Sequence, residues 1–221
     1  MRKMKDSGIE WIGEIPEDWV ELRARYLGEF SSSGIDKKIE EGQKLVKIIN
    51  YTDVFSNKKN ILVSKDYMVV SAKDSQIQNS LVNKGDLIVT PSSETIEDIG
   101  ISAVVDEEME NTAFSYHVLR FKFKKEIYHE YKKYLFNNHL VYNYFSSVAT
   151  GTIRQTLSRD DFKNLRLIIP TKEAQENIAK HLDKKCGEIE ELISIKQEKI
   201  DKLEEYKKSL IYECVTGKRE V

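Results

Sequence analysis

The chain has 221 residues, 40% hydrophobic and 33% charged, enough apolar material for a packed core, which excludes a fully disordered or fibrous protein. With 3 Pro, 10 Gly and no window near the ~18 unbroken apolar residues of a membrane helix, a soluble protein is expected. The 35 Lys+Arg against 37 Asp+Glu leave a net charge of −2, which by itself speaks against a strongly basic nucleic-acid binder.

The charge is unevenly placed. Residues 1–110 hold 14 basic and 21 acidic residues, and residues 111–221 hold 21 and 16. The basic excess is densest from Tyr116 to Arg166, with ten Lys/Arg against four Asp/Glu. That excess suits either a solvated face or a local phosphate-facing surface.

The amino terminus, MRKMKDSGIEWIGEIPEDW, lacks the apolar run and small-residue cleavage site of a secretory signal. Cys186 and Cys214 cannot build a disulfide framework and have no Cys or His neighbours at zinc spacing. A reducing cytoplasm is the expected location.

In chain order, the segments 44–51, 66–70, 85–90, 100–105, 115–123 and 165–170 read as strands. They place β-branched or aromatic residues at period two between Gly, Asp, Asn or Pro. Residues 126–149 have helical spacing in Ile127, Tyr131, Tyr134, Leu135 and Leu140. The tyrosines of that stretch read mainly as core. The fold class predicted is α+β: a mixed α/β domain over residues 1–170, then a helical segment over 171–221.

At Pro170 the pattern changes. Thr171 is placed to cap a helix, and only Gly187 interrupts the following residues before Gly217. One heptad position carries Ala179, Cys186, Ile193, Ile200, Lys207 and Cys214. The position three later carries Leu182, Ile189, Lys196, Leu203 and Leu210. This is a coiled-coil seam of about five heptads. A helix of about 44 residues spans ~66 Å, more than the preceding domain can cover, so it requires a partner helix. A second stripe of Ile178, Leu192 and Tyr206 widens the apolar face beyond what a two-stranded coil uses.

A search for catalytic chemistry finds none. There is no GxxxxGK[ST] phosphate loop, and His129-Glu130 continues as Tyr131-Lys132-Lys133 rather than as HExxH. No catalytic residue and no metal site are predicted. A methyltransferase's Asn/Asp-Pro-Pro-aromatic tetrapeptide is absent, since the three prolines are isolated. Asp160-Asp161 reads as a helix start.

Three stretches carry a likeness to a known family. They are DSGIEWIGEIPEDW near the start, GTIRQTLSRDDFKNLRLIIPTKEAQENIAKHLD at 151–183 and LIYECVTGKREV at 210–221. Together they resemble the specificity subunits of type I restriction-modification systems, in which a target recognition domain precedes a long helical spacer. The family's junction pattern falls on Gly151, Arg154, Gln155, Pro170, Gln175, Ile178 and Ala179, with Ala174 where a Glu is usual. Residues 85–105 look like the strand and loop of one recognition-domain subclass.

Usual members look like two recognition domains and two spacer helices, whereas this sequence supplies one of each. The resemblance therefore implies a half-length subunit that pairs with itself, or with another half-length specificity subunit. Antiparallel helices would give a homodimer reading a gapped palindrome in double-stranded DNA. The interface residues would be Ile178, Leu182, Ile189, Leu192, Ile193, Ile200, Leu203, Tyr206 and Leu210. The family likeness also implies methyltransferase and restriction (translocase) subunits as partners. S-adenosylmethionine, ATP and magnesium would belong to those partners, leaving this chain without a cofactor or enzymatic activity. A repressor-like autonomous DNA-binding dimer and a coiled-coil protein adaptor are the rival readings.

Two loops are the expected DNA readers. The first is Thr150, Gly151, Thr152, Ile153, Arg154, Gln155 and Thr156, where Arg154 can fork onto guanine or phosphate and Gln155 can pair with adenine. The same residues also suit a turn that only tightens the chain. The second is Ser92, Ser93, Glu94 and Thr95, whose hydroxyls suit phosphate or base edges and whose carboxylate suits the cytosine amino group, with a capping turn as the rival role. Tyr116, beside the basic strand, joins the expected DNA-binding set.

Overall fold

The computed structural model describes residues 2–9, 12–57 and 59–220. The chain opens with a hairpin of β1 (Met4–Asp6) and β2 (Glu14–Pro16), then β3 (Val20–Arg23), a single turn α1 (Ala24–Leu27) and β4 (Gly28–Ser32). Next come β5 (Lys44–Ile49), α2 (Tyr51–Phe55), β6 (Ile61–Leu62), β7 (Met68–Ala72) and α3 (Asp74–Ser80). The central strands are β8 (Leu87–Val89), β9 (Ser92–Ser93), β10 (Ser102–Val105), β11 (Thr112–Phe114) and β12 (Leu119–Phe123). A 3₁₀ turn at His129–Tyr131 leads into α4 (Lys132–Phe136) and α5 (His139–Val148). The chain closes with β13 (Gln155–Thr156), α6 (Arg159–Asn164), β14 (Arg166–Ile169) and α7 (Lys172–Val215). The α+β class and the long last helix agree with the sequence.

Two sheets carry the first unit. One is ordered β4-β12-β8-β10-β6, antiparallel except for the parallel β10–β6 pair. The other is β11-β5-β7, with β11 parallel and β7 antiparallel to β5. Every residue of β8, β10 and β11 is buried, so these strands read as mainly apolar runs, broken only by Ser102 and Thr112, because both faces are covered. β14 returns to pair with β3 in the register Leu167↔Leu22, tying the end of the unit to its beginning.

Phenylalanines join sheet to helices. Phe30 of β4 lies 4.4 Å from Phe121 of β12 and 5.2 Å from Phe162 of α6, centroid to centroid. Phe121 meets Phe136 of α4 at 5.2 Å, and Phe162 meets Phe145 of α5 at 5.0 Å. Tilted and edge contacts of this kind add to the burial of large rings. Four of these rings, Phe121, Phe136, Phe145 and Phe162, are fully buried, and they fix the helices over the five-stranded sheet.

The structure corrects the expected helix over 126–149. Asn137 ends α4, and its side-chain amide accepts from the Ser102 N–H (3.1 Å) and donates to the Ser102 carbonyl (2.9 Å). Asn138 then caps α5, its carbonyl oxygen accepting from the N–H groups of Leu140 and Val141 at 3.1 Å each. Side-chain amides that bond backbone groups compete with the helix ladder and favour helix ends and caps. Residues 115–118 also differ from expectation, forming a turn before β12 rather than its first half.

Residues Met1–Glu176 form one compact unit and Asn177–Val221 a second, a division inside α7 rather than at Pro170. The Thr171 hydroxyl accepts from the Ala174 N–H at 3.3 Å, capping the helix as expected. Gln175, 4% exposed, accepts from the Tyr128 N–H (2.8 Å) and donates to the Pro170 carbonyl (2.9 Å). This pair of hydrogen bonds to the backbone gives a physical reason for a glutamine at that junction position. In the second unit Ile189, Leu192, Ile193, Ile200, Leu203 and Tyr206 are each about half exposed or more, while Ile178, Leu182 and Leu210 are half-buried. Among the described residues no helix is long and apolar enough to cross a membrane.

Candidate nucleic-acid interface

The two loops expected to read DNA are brought together by strand pairing. β13 runs antiparallel to β9, with Gln155 opposite Ser93 and Thr156 opposite Ser92. The Leu157 N–H continues this ladder to the Pro91 carbonyl at 2.8 Å. Thr150 and Thr156 exchange both backbone hydrogen bonds, at 3.0 and 2.8 Å, and so close a tight loop over 151–155.

Gly151 makes that loop possible. Its φ of +129° lies where side chains are strained, and a Cβ there would sit 2.1 Å from the Arg154 carbonyl oxygen. The Gln155 side-chain amide donates to the Gly151 carbonyl (3.0 Å), and the Thr156 hydroxyl donates to the Thr150 carbonyl (3.0 Å). Gly151, Gln155 and Thr156 therefore shape the loop, while Thr152, Ile153 and Arg154 stand exposed at its tip.

Arg154 is held on three sides. Its Nε donates to the Ser92 hydroxyl at 2.9 Å, its Nη1 lies 3.8 Å from a Glu94 carboxylate oxygen, and its guanidinium stacks 5.3 Å above the Tyr51 ring. Tyr51 in turn stacks on Phe55 at 5.3 Å with the rings 18° from parallel. Tyr51 begins α2, directly after β5, and packs against the core.

The second loop is split in its roles. Ser92 and Glu94 face Arg154, but Ser93 is 1% exposed and its hydroxyl accepts from the Thr95 N–H at 3.4 Å. Ser93 cannot enter a groove from the interior, which corrects its place in the expected DNA-binding set. Thr95 donates its hydroxyl to Asp98 at 2.9 Å, so it holds the loop on its own course.

The carboxyl ends of the parallel strands β5 and β11 complete the surface. After β5 come Asn50 and Tyr51, and after β11 come Ser115, Tyr116 and His117. The Ser115 N–H bonds the Ile49 carbonyl at 3.0 Å, and the Tyr116 N–H bonds the Ile35 carbonyl at 3.1 Å. Tyr116, 47% exposed, lies against the His117 ring at 3.8 Å. Partial burial, then the positive charges of Lys37 and Arg154, push the His117 imidazole below the ordinary histidine range. The Arg154 charge thus opposes protonation of His117.

Sequence reasoning missed Tyr51, His117 and Lys37. The expected strand over 44–51 ends on Tyr51, which instead begins α2. Its signal was the Asn50-x-x-Asp53 spacing, in which the Asp53 carboxylate accepts from the Asn50 N–H at 2.9 Å and starts a helix. Lys37 and His117 had no local signal, because they reach this surface through the packing of residues 35–37 on the turn after β11.

Residues 16–205 match the family described as type I restriction modification DNA specificity domain. The chain belongs to that family. A curated relative of this specificity-domain chain, the type I restriction enzyme MjaVIII specificity subunit of Methanocaldococcus jannaschii, is 27% identical over 217 residues, covering 94% of the chain and 48% of the relative. Among solved structures, a chain from a study of complex assembly and conformational transition of the type I R-M system superposes with a TM-score of 0.66 at 12% identity. It covers 95% of this chain and 48% of its own. The HsdS subunit of Thermoanaerobacter tengcongensis gives a TM-score of 0.56 at 14% identity, covering 86% of this chain and 41% of its own. These two likenesses speak to the fold. The specificity-domain chain spans about half the length of the relatives it matches.

Proposed function

We propose that this chain is a non-catalytic DNA-specificity subunit that reads one half of a bipartite site and directs a type I methyltransferase, with its restriction partner, to that site in the cytoplasm. The observation that carries the reading is the convergence of Arg154, Ser92, Glu94, Tyr51 and Tyr116, from four distant stretches of sequence, on one exposed surface. A fork donor, hydroxyls, a carboxylate and aromatic rings are the groups that read base edges. The DNA contacts proposed are Arg154, Ser92, Glu94, Thr152 and Tyr116, with Gly151, Gln155, Thr156, Ser93 and Thr95 holding them in place. S-adenosylmethionine, ATP and magnesium are used by the partner subunits.

The exposed stripe of Ile189, Ile193, Ile200 and Leu203 supports pairing of α7 with a second such helix, antiparallel, from another copy or another half-length subunit. The flanking Leu192 and Tyr206 leave room for a partner subunit on the same helices. A two-fold pair of identical readers reads an inverted repeat with a fixed gap.

The test is a long-read map of methylated adenines in cells holding the partner methyltransferase, with and without this chain. A gapped palindrome that vanishes with the chain is the expected result. A gapped asymmetric motif means pairing with a different half. No lost motif beside an active methyltransferase refutes the reading in favour of an adaptor, and tight specific binding by the chain alone favours a repressor-like dimer.

A further inference from the structure

Resting on that reading, we propose that Arg154 reads a guanine, and that Tyr51, Ser92 and Glu94 set it on a base edge instead of a phosphate. An arginine has five N–H donors and no acceptor. Nε is already given to Ser92 at 2.9 Å, so a ligand approaching end-on meets the fork of the two terminal nitrogens, of which Nη1 lies 3.8 Å from the Glu94 carboxylate. The Tyr51 face, 5.3 Å from the guanidinium carbon, holds the plane of the fork, and Tyr51 is itself braced by Phe55. A planar, oriented fork matches the O6 and N7 acceptors of guanine in the major groove.

Glu94 decides between base and backbone. Its carboxylate, 3.8 Å from Nη1 and itself highly exposed, carries a negative charge to any ligand that approaches the fork. A phosphate meets repulsion there, whereas guanine offers neutral acceptors and its paired cytosine offers an amino donor that a carboxylate accepts. An arginine meant for phosphate gains nothing from such a neighbour. Tyr51 is a positioning residue in this arrangement, acting through Arg154, and Glu94 is a filter.

The test compares adenine-methylation maps of cells carrying the full chain as wild type, Arg154→Lys, Tyr51→Ala, Tyr51→Phe and Glu94→Gln, with the partner methyltransferase. The wild-type motif is expected to contain a guanine that relaxes in Arg154→Lys and Tyr51→Ala, with discrimination at that one position falling roughly ten- to a hundredfold. Tyr51→Phe keeps the ring and restores the guanine. In the purified chain, Glu94→Gln raises affinity for random-sequence duplex and steepens its salt dependence. An unchanged motif in Arg154→Lys overturns the inference, as does an equal loss of methylation at every site, which marks a phosphate contact. Arg154 is exposed, so its variant folds whether or not Tyr51→Ala does. A wild-type chain with no motif at all fails the functional reading itself, which the wild-type map reports separately.

Discussion

Replacing Gly151 by Ala tests whether the loop geometry is what presents Arg154. At φ +129° an alanine is strained by about 1–3 kcal/mol before any contact is counted. Its Cβ would also sit 2.1 Å from the Arg154 carbonyl oxygen, so that peptide must move by about 1 Å to reach ordinary contact. The movement draws Gln155 away from the Gly151 carbonyl and loosens the Thr150–Thr156 pair, at about 1 kcal/mol for each hydrogen bond lost. The combined cost of about 3–5 kcal/mol falls on a loop joined to the domain by the two-residue β13–β9 pair. A domain of this size holds about 5–15 kcal/mol, so it stays folded while the loop opens. Hydrogen exchange at the Thr150, Thr156 and Leu157 amides is therefore expected to speed up by about a hundredfold or more, with site-specific methylation lost. Unchanged protection at those three amides would refute the turn geometry and the role assigned to Gly151.

Gln175→Ala strips the partner from the Tyr128 N–H and the Pro170 carbonyl, and is expected to cost about 2–4 kcal/mol, or about 5–15 °C in a thermal melt; a shift under 2 °C would contradict it. Ile193→Asp with Leu203→Asp puts charges into the proposed helix seam, so sedimentation should show a monomer while the first unit melts as before; a persisting dimer sinks the seam assignment. Asp86 is 3% exposed, and burial raises its carboxyl pKa despite a hydrogen bond from the Asn83 N–H and the charges of Arg120 and Lys122. A folded pKa above the unfolded one means its contribution to stability is full below about pH 4 and is lost as pH rises through the folded value. Asp86→Asn keeps an acceptor without the charge, so it should stabilise the chain at pH 7 and lose that advantage at pH 3; equal gains at both pH values would show that desolvation is not the cause. His117, its pKa lowered from the ordinary histidine value, should gain a proton only as the pH falls below that value and then strengthen salt-dependent binding to random-sequence duplex, a trend that His117→Gln should abolish.

The strands, the change of pattern at Pro170 and the long helix were legible because each rests on local chemistry. Period-two apolar residues specify β5 and β12 wherever they lie in the fold, and seven-residue spacing writes the exposed stripe of α7 directly into the chain. The break between α4 and α5 was not legible. Asn138 caps α5 through local bonds, but the Asn137 side chain that ends α4 is held by the backbone of Ser102, 35 residues away, which no local pattern shows.

The candidate site divides in the same way. Arg154, Ser92, Glu94 and Tyr116 were recognisable one by one as polar or aromatic groups on turns. Sequence also reached the restriction-modification likeness. Only the tertiary structure set Arg154 between Ser92 and Tyr51, withdrew Ser93 into the interior and laid Tyr116 against His117. The reason is that local sequence fixes which backbone conformations a segment prefers, whereas the neighbours of a side chain follow from which strands pair. The β9–β13 and β5–β11 pairings join segments more than sixty residues apart, and their register is settled by burial of the whole core.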